Sequence, residues 1–123
     1  MKPALRARTG ALTLAALTLT ACGSNDIYVW RGYEPSVANL SLNGGVVDVD
    51  AEIAALEKLI SRAATDERHV PPGAHAHLGY LYYLKGDVAG AVAGFEAEKA
   101  AYPEATTFVD GLLSRIRSQE PLP

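Results

Sequence analysis

Cys22, His69, His75 and His77 are the whole supply of thiol and imidazole in these 123 residues, so metal or thiol chemistry has to run through them. His75-Ala76-His77 is the closest pair. On a strand the two rings would share a face and could grip one ion. On a helix, residues two apart point roughly 200° apart, and the surrounding sequence is helical. His69 falls in a different loop, and no acid stands at a spacing that completes a ligand set. His75 therefore reads as a packing residue. No glycine-rich phosphate loop follows a strand, and no serine sits in a nucleophile elbow. The acids are scattered along helix faces and read as solvated surface. These residues predict no metal, no cofactor, no small-molecule substrate and no catalytic set.

Cys22 has one chemistry left, and its context names it. Lys2, Arg6 and Arg8 form a positive start with no acid among the first 21 residues, and an apolar stretch follows from Gly10 to Ala21. That is the layout of a secretion signal, too short for a bilayer span of about 20 residues. Leu19-Thr20-Ala21-Cys22 is a lipobox: leucine three residues before cleavage, small residues next, then cysteine. A thioether to lipid at Cys22 removes the chain's only thiol from disulfide, nucleophilic and metal roles. Each buried CH₂ of the acyl chains contributes about 0.8 kcal/mol to anchoring. Gly23 replaces the aspartate associated with inner-membrane retention. The expected location is thus the periplasmic face of a bacterial outer membrane.

Cleavage before Cys22 removes three of the 11 basic residues and none of the 14 acids, moving the formal charge from −3 to −6. Nucleic acid is a poor partner for such a chain, and an anionic bilayer surface repels it. Membrane contact is expected through the lipid alone. What remains is one small domain with a modest core.

The elements of that domain read as all-α. A tether and aromatic segment cover residues 22–34, and Ile27-Tyr28-Val29-Trp30-Arg31-Gly32-Tyr33 is too apolar for a free linker. It is expected to lie extended and stitch the tether to the core, or to offer Trp30 to a partner. Residues 35–49 suit a short helix opened by Pro35 and then a loop at Asn43-Gly44-Gly45, with a hairpin as the alternative. Ile53, Leu56, Ile60 and Ala63 give a helical stripe over Ala51–Ala64, with Asp50 as N-cap and Glu52, Glu57, Lys58 and Arg62 outward. Val70-Pro71-Pro72-Gly73 punctuates.

From Ala74 to Tyr102, Leu78-Gly79, Tyr82, Ala91, Phe95 and Pro103 fall at the spacings of the 34-residue tetratricopeptide repeat, with Gly86-Asp87 at its inter-helix turn. Gly79 and Ala91 are small enough to let two antiparallel helices approach. His75 and Glu98 depart from the repeat pattern, which has tryptophan and a small residue there. A last helix runs from Glu104 or Ala105 to Ser118. One repeat cannot bury its own faces, so this helix is expected on one side of the hairpin and Ala51–Ala64 on the other. The helical domain is 35–118, and 119–123 reads as a disordered tail.

The lipobox, Tyr28-Val29-Trp30, Gly32-Tyr33, Val70-Pro71-Pro72-Gly73, Leu78-Gly79-Tyr80-Leu81-Tyr82, Gly86-Asp87, Phe95 and Glu98-Lys99 together resemble the DUF4810 family of small bacterial lipoproteins. The likeness spans nearly the whole mature chain and departs between Pro35 and Val49. The family is named for unknown function and transfers no catalytic residue. Its members are often encoded beside a curli-channel-like lipoprotein and a second lipoprotein, which implies a part in an envelope assembly for secretion or adhesion.

Binding is the function this pattern favours. In tetratricopeptide repeats the first helix of each pair lines the concave face. That geometry puts Ala76, Tyr80 and Tyr83 toward a groove and Leu78 and Tyr82 toward the core. Exposed tyrosines suit a protein partner. The alternatives are a purely structural, self-associating lipoprotein and, behind it, an envelope metal carrier or hydrolase.

Overall fold

Helices α2 and α4 begin where an aspartate can satisfy the first free amides, and α3 begins where none can. The computed structural model describes residues 27–30, 32–42 and 48–123. Helix α1 is Tyr33–Leu42 and carries Glu34 in its first turn. Helix α2 is Val49–Thr65, where the Asp48 carboxylate accepts from the Ala51 amide at 3.1 Å. Helix α3 is Ala74–Leu84 and α4 is Val88–Ala101, the latter capped by Asp87 accepting from Gly90 at 2.8 Å. A 3₁₀ turn at Pro103–Ala105 leads into α5, Thr106–Arg117, whose last turn holds Arg115 and Arg117 against the negative end of its dipole.

The helices pack in chain order around the α3–α4 hairpin. Ile53 and Leu56 of α2 close on Ala74 and Leu81 of α3, all buried. On the far side Ala91 and Phe95 of α4 meet Val109, Leu112 and Leu113 of α5. The hairpin is tightest where Gly94 faces Gly79. A Cβ on Gly94 would come within 2.6 Å of the Gly79 Cα, and one on Gly79 within 2.9 Å of the Ala91 carbonyl. Glycine at both positions is a packing requirement.

The aromatic segment lies against α2 and the loop that follows it. Val29 is 3% exposed and packs with Leu59 and Ala63. Its amide donates to the His69 carbonyl at 3.1 Å, and the His69 amide donates to Ile27 at 2.9 Å, a single parallel bridge. The Arg68 guanidinium adds a bond to the Tyr28 carbonyl.

Four expectations need correction. The segment turns helical at Tyr33, two residues before the boundary placed at 35. The N-cap of α2 is Asp48, because the helix starts at Val49, two residues before the expected Ala51. Glu52 is buried at the α2–α3 face instead of pointing outward, and Glu98, read with the other acids as surface, is 3% exposed. Past α5 the chain folds back on the helix: Gln119 takes a left-handed conformation (φ 57°), and its amide and that of Glu120 donate to the Ile116 and Arg115 carbonyls. That pair of bonds reverses the chain at the end of α5. The signal stretch 1–21, Cys22, its tether, Arg31 and the loop at Asn43-Gly44-Gly45 lie outside the described residues. No helix among the described residues is long and apolar enough to cross a membrane.

Candidate interaction groove

α3 has no side-chain cap of its own. Gly73 precedes it in the left-handed region (φ 88°), offers no side chain, and no acid follows in the first turn. Glu98 supplies what is missing from α4. Its carboxylate accepts from the Gly73 amide at 2.7 Å and from the Ala76 amide at 3.3 Å. A buried carboxylate at a helix N-terminus is stabilised by both the amides and the dipole. The position that breaks the repeat pattern thus fixes the start of α3. It also acts on its surroundings: burial, and then the Glu98 charge, push the Tyr33 phenol above its ordinary range.

With its N-terminus fixed, α3 forms the floor of an apolar groove of about 380 Å³. Ala76, His77 and Tyr80 line the floor, Tyr33 and Val37 of α1 one wall, Phe108 and Leu112 of α5 the other. The walls are open to solvent, with Val37 41% and Phe108 63% exposed. Exposed apolar side chains converging on a concavity are the usual mark of an interaction site.

Ala76 and Tyr80 line this groove, and both are partly buried. Tyr83 lies just past the end of the groove, its ring stacked on Tyr80 with centroids 6.5 Å apart and planes at 26°. Leu78 and Tyr82 turn toward α2, where the Tyr82 hydroxyl bonds the Glu57 carboxylate. Trp30 does not line the groove. It is 41% exposed in a neighbouring hollow that shares the Tyr33 and Val37 wall. Phe108 and Val37 escaped the sequence reading, since an apolar residue on an amphipathic helix is expected to be covered.

The histidines separate as helical geometry requires. His77 lines the groove, whereas His75 lines a second cavity of about 520 Å³ with His69, Tyr28 and Tyr102. Burial lowers both His75 and His77 below the ordinary imidazole value, against weaker upward pulls from Glu98 and Glu52 respectively. Both rings are thus favoured in the neutral form. Among the described residues, no group of three histidine, cysteine or acidic side chains is placed to hold a metal ion.

Among the described residues, helices α1 to α5 stacked in chain order and tightest at a glycine-faced hairpin define a small all-α domain. The chain belongs to the DUF4810 family: its model, described as a domain of unknown function, matches residues 27–112. The match takes in Trp30, Tyr80, Tyr83, Glu98 and Phe108, and the tail lies beyond it. Searches of curated proteins and of solved structures returned no match.

Proposed function

We propose that this chain is a lipid-anchored adaptor. Cys22 holds it at the periplasmic face of the outer membrane, and the groove between α1, α3 and α5 receives an envelope protein partner. The observation that carries the reading is the groove itself, apolar, concave and walled by Val37 and Phe108 side chains that this chain leaves exposed. If α3 and α4 form a tetratricopeptide-like pair, then α1, α3 and α5 are the first helices of successive pairs and line one concave face. The lipobox and the −6 charge support attachment through lipid alone. The reading assigns no catalysis, cofactor or nucleic acid.

The test is affinity purification of the lipidated chain from envelopes, comparing wild type with Tyr80→Ala/Phe108→Ser. The adaptor reading expects an envelope protein that co-purifies with wild type to be lost from the variant; retention removes the groove from consideration. A curli-channel-like lipoprotein is the first candidate to probe for. Self-association is the second reading, favoured by Leu84 and Val88, each 50% exposed at the α3–α4 tip. It expects a dimer in sedimentation that Leu84→Ser/Val88→Ser dissolves.

A further inference from the structure

The groove already has a visitor. After the left-handed Gln119 the chain runs back along α5, and Arg115 Nε holds the Pro121 carbonyl at 3.0 Å. This delivers Leu122 and Pro123 to the stacked tyrosines. The Leu122 amide donates to the Tyr83 hydroxyl, and the Tyr80 hydroxyl donates to the Pro123 main-chain oxygen, both at 3.4 Å. Leu122 packs against the Ala91–Phe95–Leu113 cluster, and Pro123 reaches the lining of the groove.

Two features of this contact define a ligand chemistry. The tyrosines present a flat aromatic shelf whose hydroxyls read main-chain groups, while the side chains they meet are leucine and proline. An extended proline-bearing segment suits such a surface, because it keeps its carbonyls free and loses little entropy on docking. The contact is also weak. Both bonds exceed the usual 2.7–3.2 Å, and Pro121 and Pro123 stay exposed. The rest of the groove, toward Val37 and Phe108, is left unfilled by the tail.

We propose that the groove takes an extended proline–apolar–proline segment of the partner, and that Pro121-Leu122-Pro123 is a resident competitor which that segment displaces. The proposal rests on the adaptor reading and names its partner class. A partner segment that makes the tail's contacts and also fills the groove toward Val37 and Phe108 outcompetes Pro121-Leu122-Pro123. The tail then keeps the aromatic shelf covered until the partner arrives.

The probe is a fluorescein-labelled Glu-Pro-Leu-Pro-Leu-Pro hexapeptide, followed by anisotropy on the detergent-solubilised chain. It is compared on wild type, a chain ending at Ser118, and full-length Leu122→Asp, which undocks the tail without shortening the chain. Circular dichroism checks that each keeps its helices. With the tail occupying the shelf about nine-tenths of the time, its release tightens apparent binding by on the order of tenfold. Tyr80→Ala/Tyr83→Ala in the untailed chain abolishes binding, and so does replacing the peptide's prolines by glycine. Equal affinity for tailed and untailed chains refutes the competitor. No binding to either untailed form, or binding indifferent to the tyrosines or prolines, refutes the proline-segment site. If the peptide fails while Tyr80→Ala/Phe108→Ser still strips the envelope partner, only the partner's chemistry is wrong and the adaptor reading stands.

Discussion

Replacing Glu98 tests the account of how the groove's floor is held. Glu98→Ala strands the Gly73 and Ala76 amides, which have no other cap. The 2.7 Å bond is a full charge-assisted one, worth about 1.5–3 kcal/mol, and the 3.3 Å bond adds less. The carboxylate's interaction with the helix dipole overlaps these bonds instead of adding to them. The expected loss is therefore about 2–3 kcal/mol. In a domain of this size it lowers Tm by roughly 10–20 °C. Glu98→Gln keeps an acceptor and loses the charge, so it costs about half as much. Urea unfolding followed by circular dichroism measures both, with an unchanged m-value showing that the unfolded state is comparable. An alanine variant within about 0.5 kcal/mol of wild type, inside the range of ordinary surface substitutions, refutes the capping role. A glutamine variant as damaged as alanine also refutes it, since packing alone would then explain the burial.

Gly94→Ala drives a methyl into the Gly79 backbone and should destabilise by about 2 kcal/mol despite alanine's better helix propensity. Gly111→Ala, with nothing within 4 Å of the added carbon, should stabilise by about 0.5–1 kcal/mol; thermal melts of the pair separate crowding from propensity. Stability should also fall on acidification. His75 and His77 are lowered by burial from 6.5, so the unfolded chain binds protons first. Their contribution is intact above pH 6.5, shrinks as pH drops toward the folded-state values, then levels off. Urea midpoints at pH 7.5 and 5.5 should show the drop, and His75→Gln/His77→Gln should reduce it. Cys22→Ser should move the protein from the membrane to the soluble fraction with its circular dichroism unchanged; membrane retention would show a second anchor.

The hairpin was legible because its geometry allows few residue types at the crossing. Gly79, Tyr82, Ala91, Phe95 and Pro103 stand at fixed spacings, and α3 and α4 follow from them. Gly94 was not, since Ala89-Gly90-Ala91-Val92-Ala93-Gly94 is small throughout and composition does not say which residue faces the partner helix. Glu98 stands out in the sequence only as a departure from the repeat pattern. Its partners are 22 and 25 residues away, and a cap supplied by another helix leaves no local signature. Asp48 rather than Asp50 caps α2 because the helix begins at Val49, and how far a helix extends is not written in its first residues. In the candidate groove, Ala76 and Tyr80 lie on one face of α3, a relation that helical spacing makes visible in the sequence. The exposure of Phe108 and Val37 depends on how α1 and α5 pack beside α3, and the tail's course depends on Arg115 and the two tyrosines. Those are tertiary facts.

The central claim is that the α1–α3–α5 groove, and no other face, receives a partner. The most direct measurement is photocrosslinking in intact cells with benzoylphenylalanine at position 108 on the groove wall, against position 62, exposed on α2. The account predicts a discrete adduct with an envelope protein from position 108, absent from position 62 and diminished by Tyr80→Ala. An adduct from position 62 alone, or one from position 108 that survives Tyr80→Ala undiminished, contradicts it.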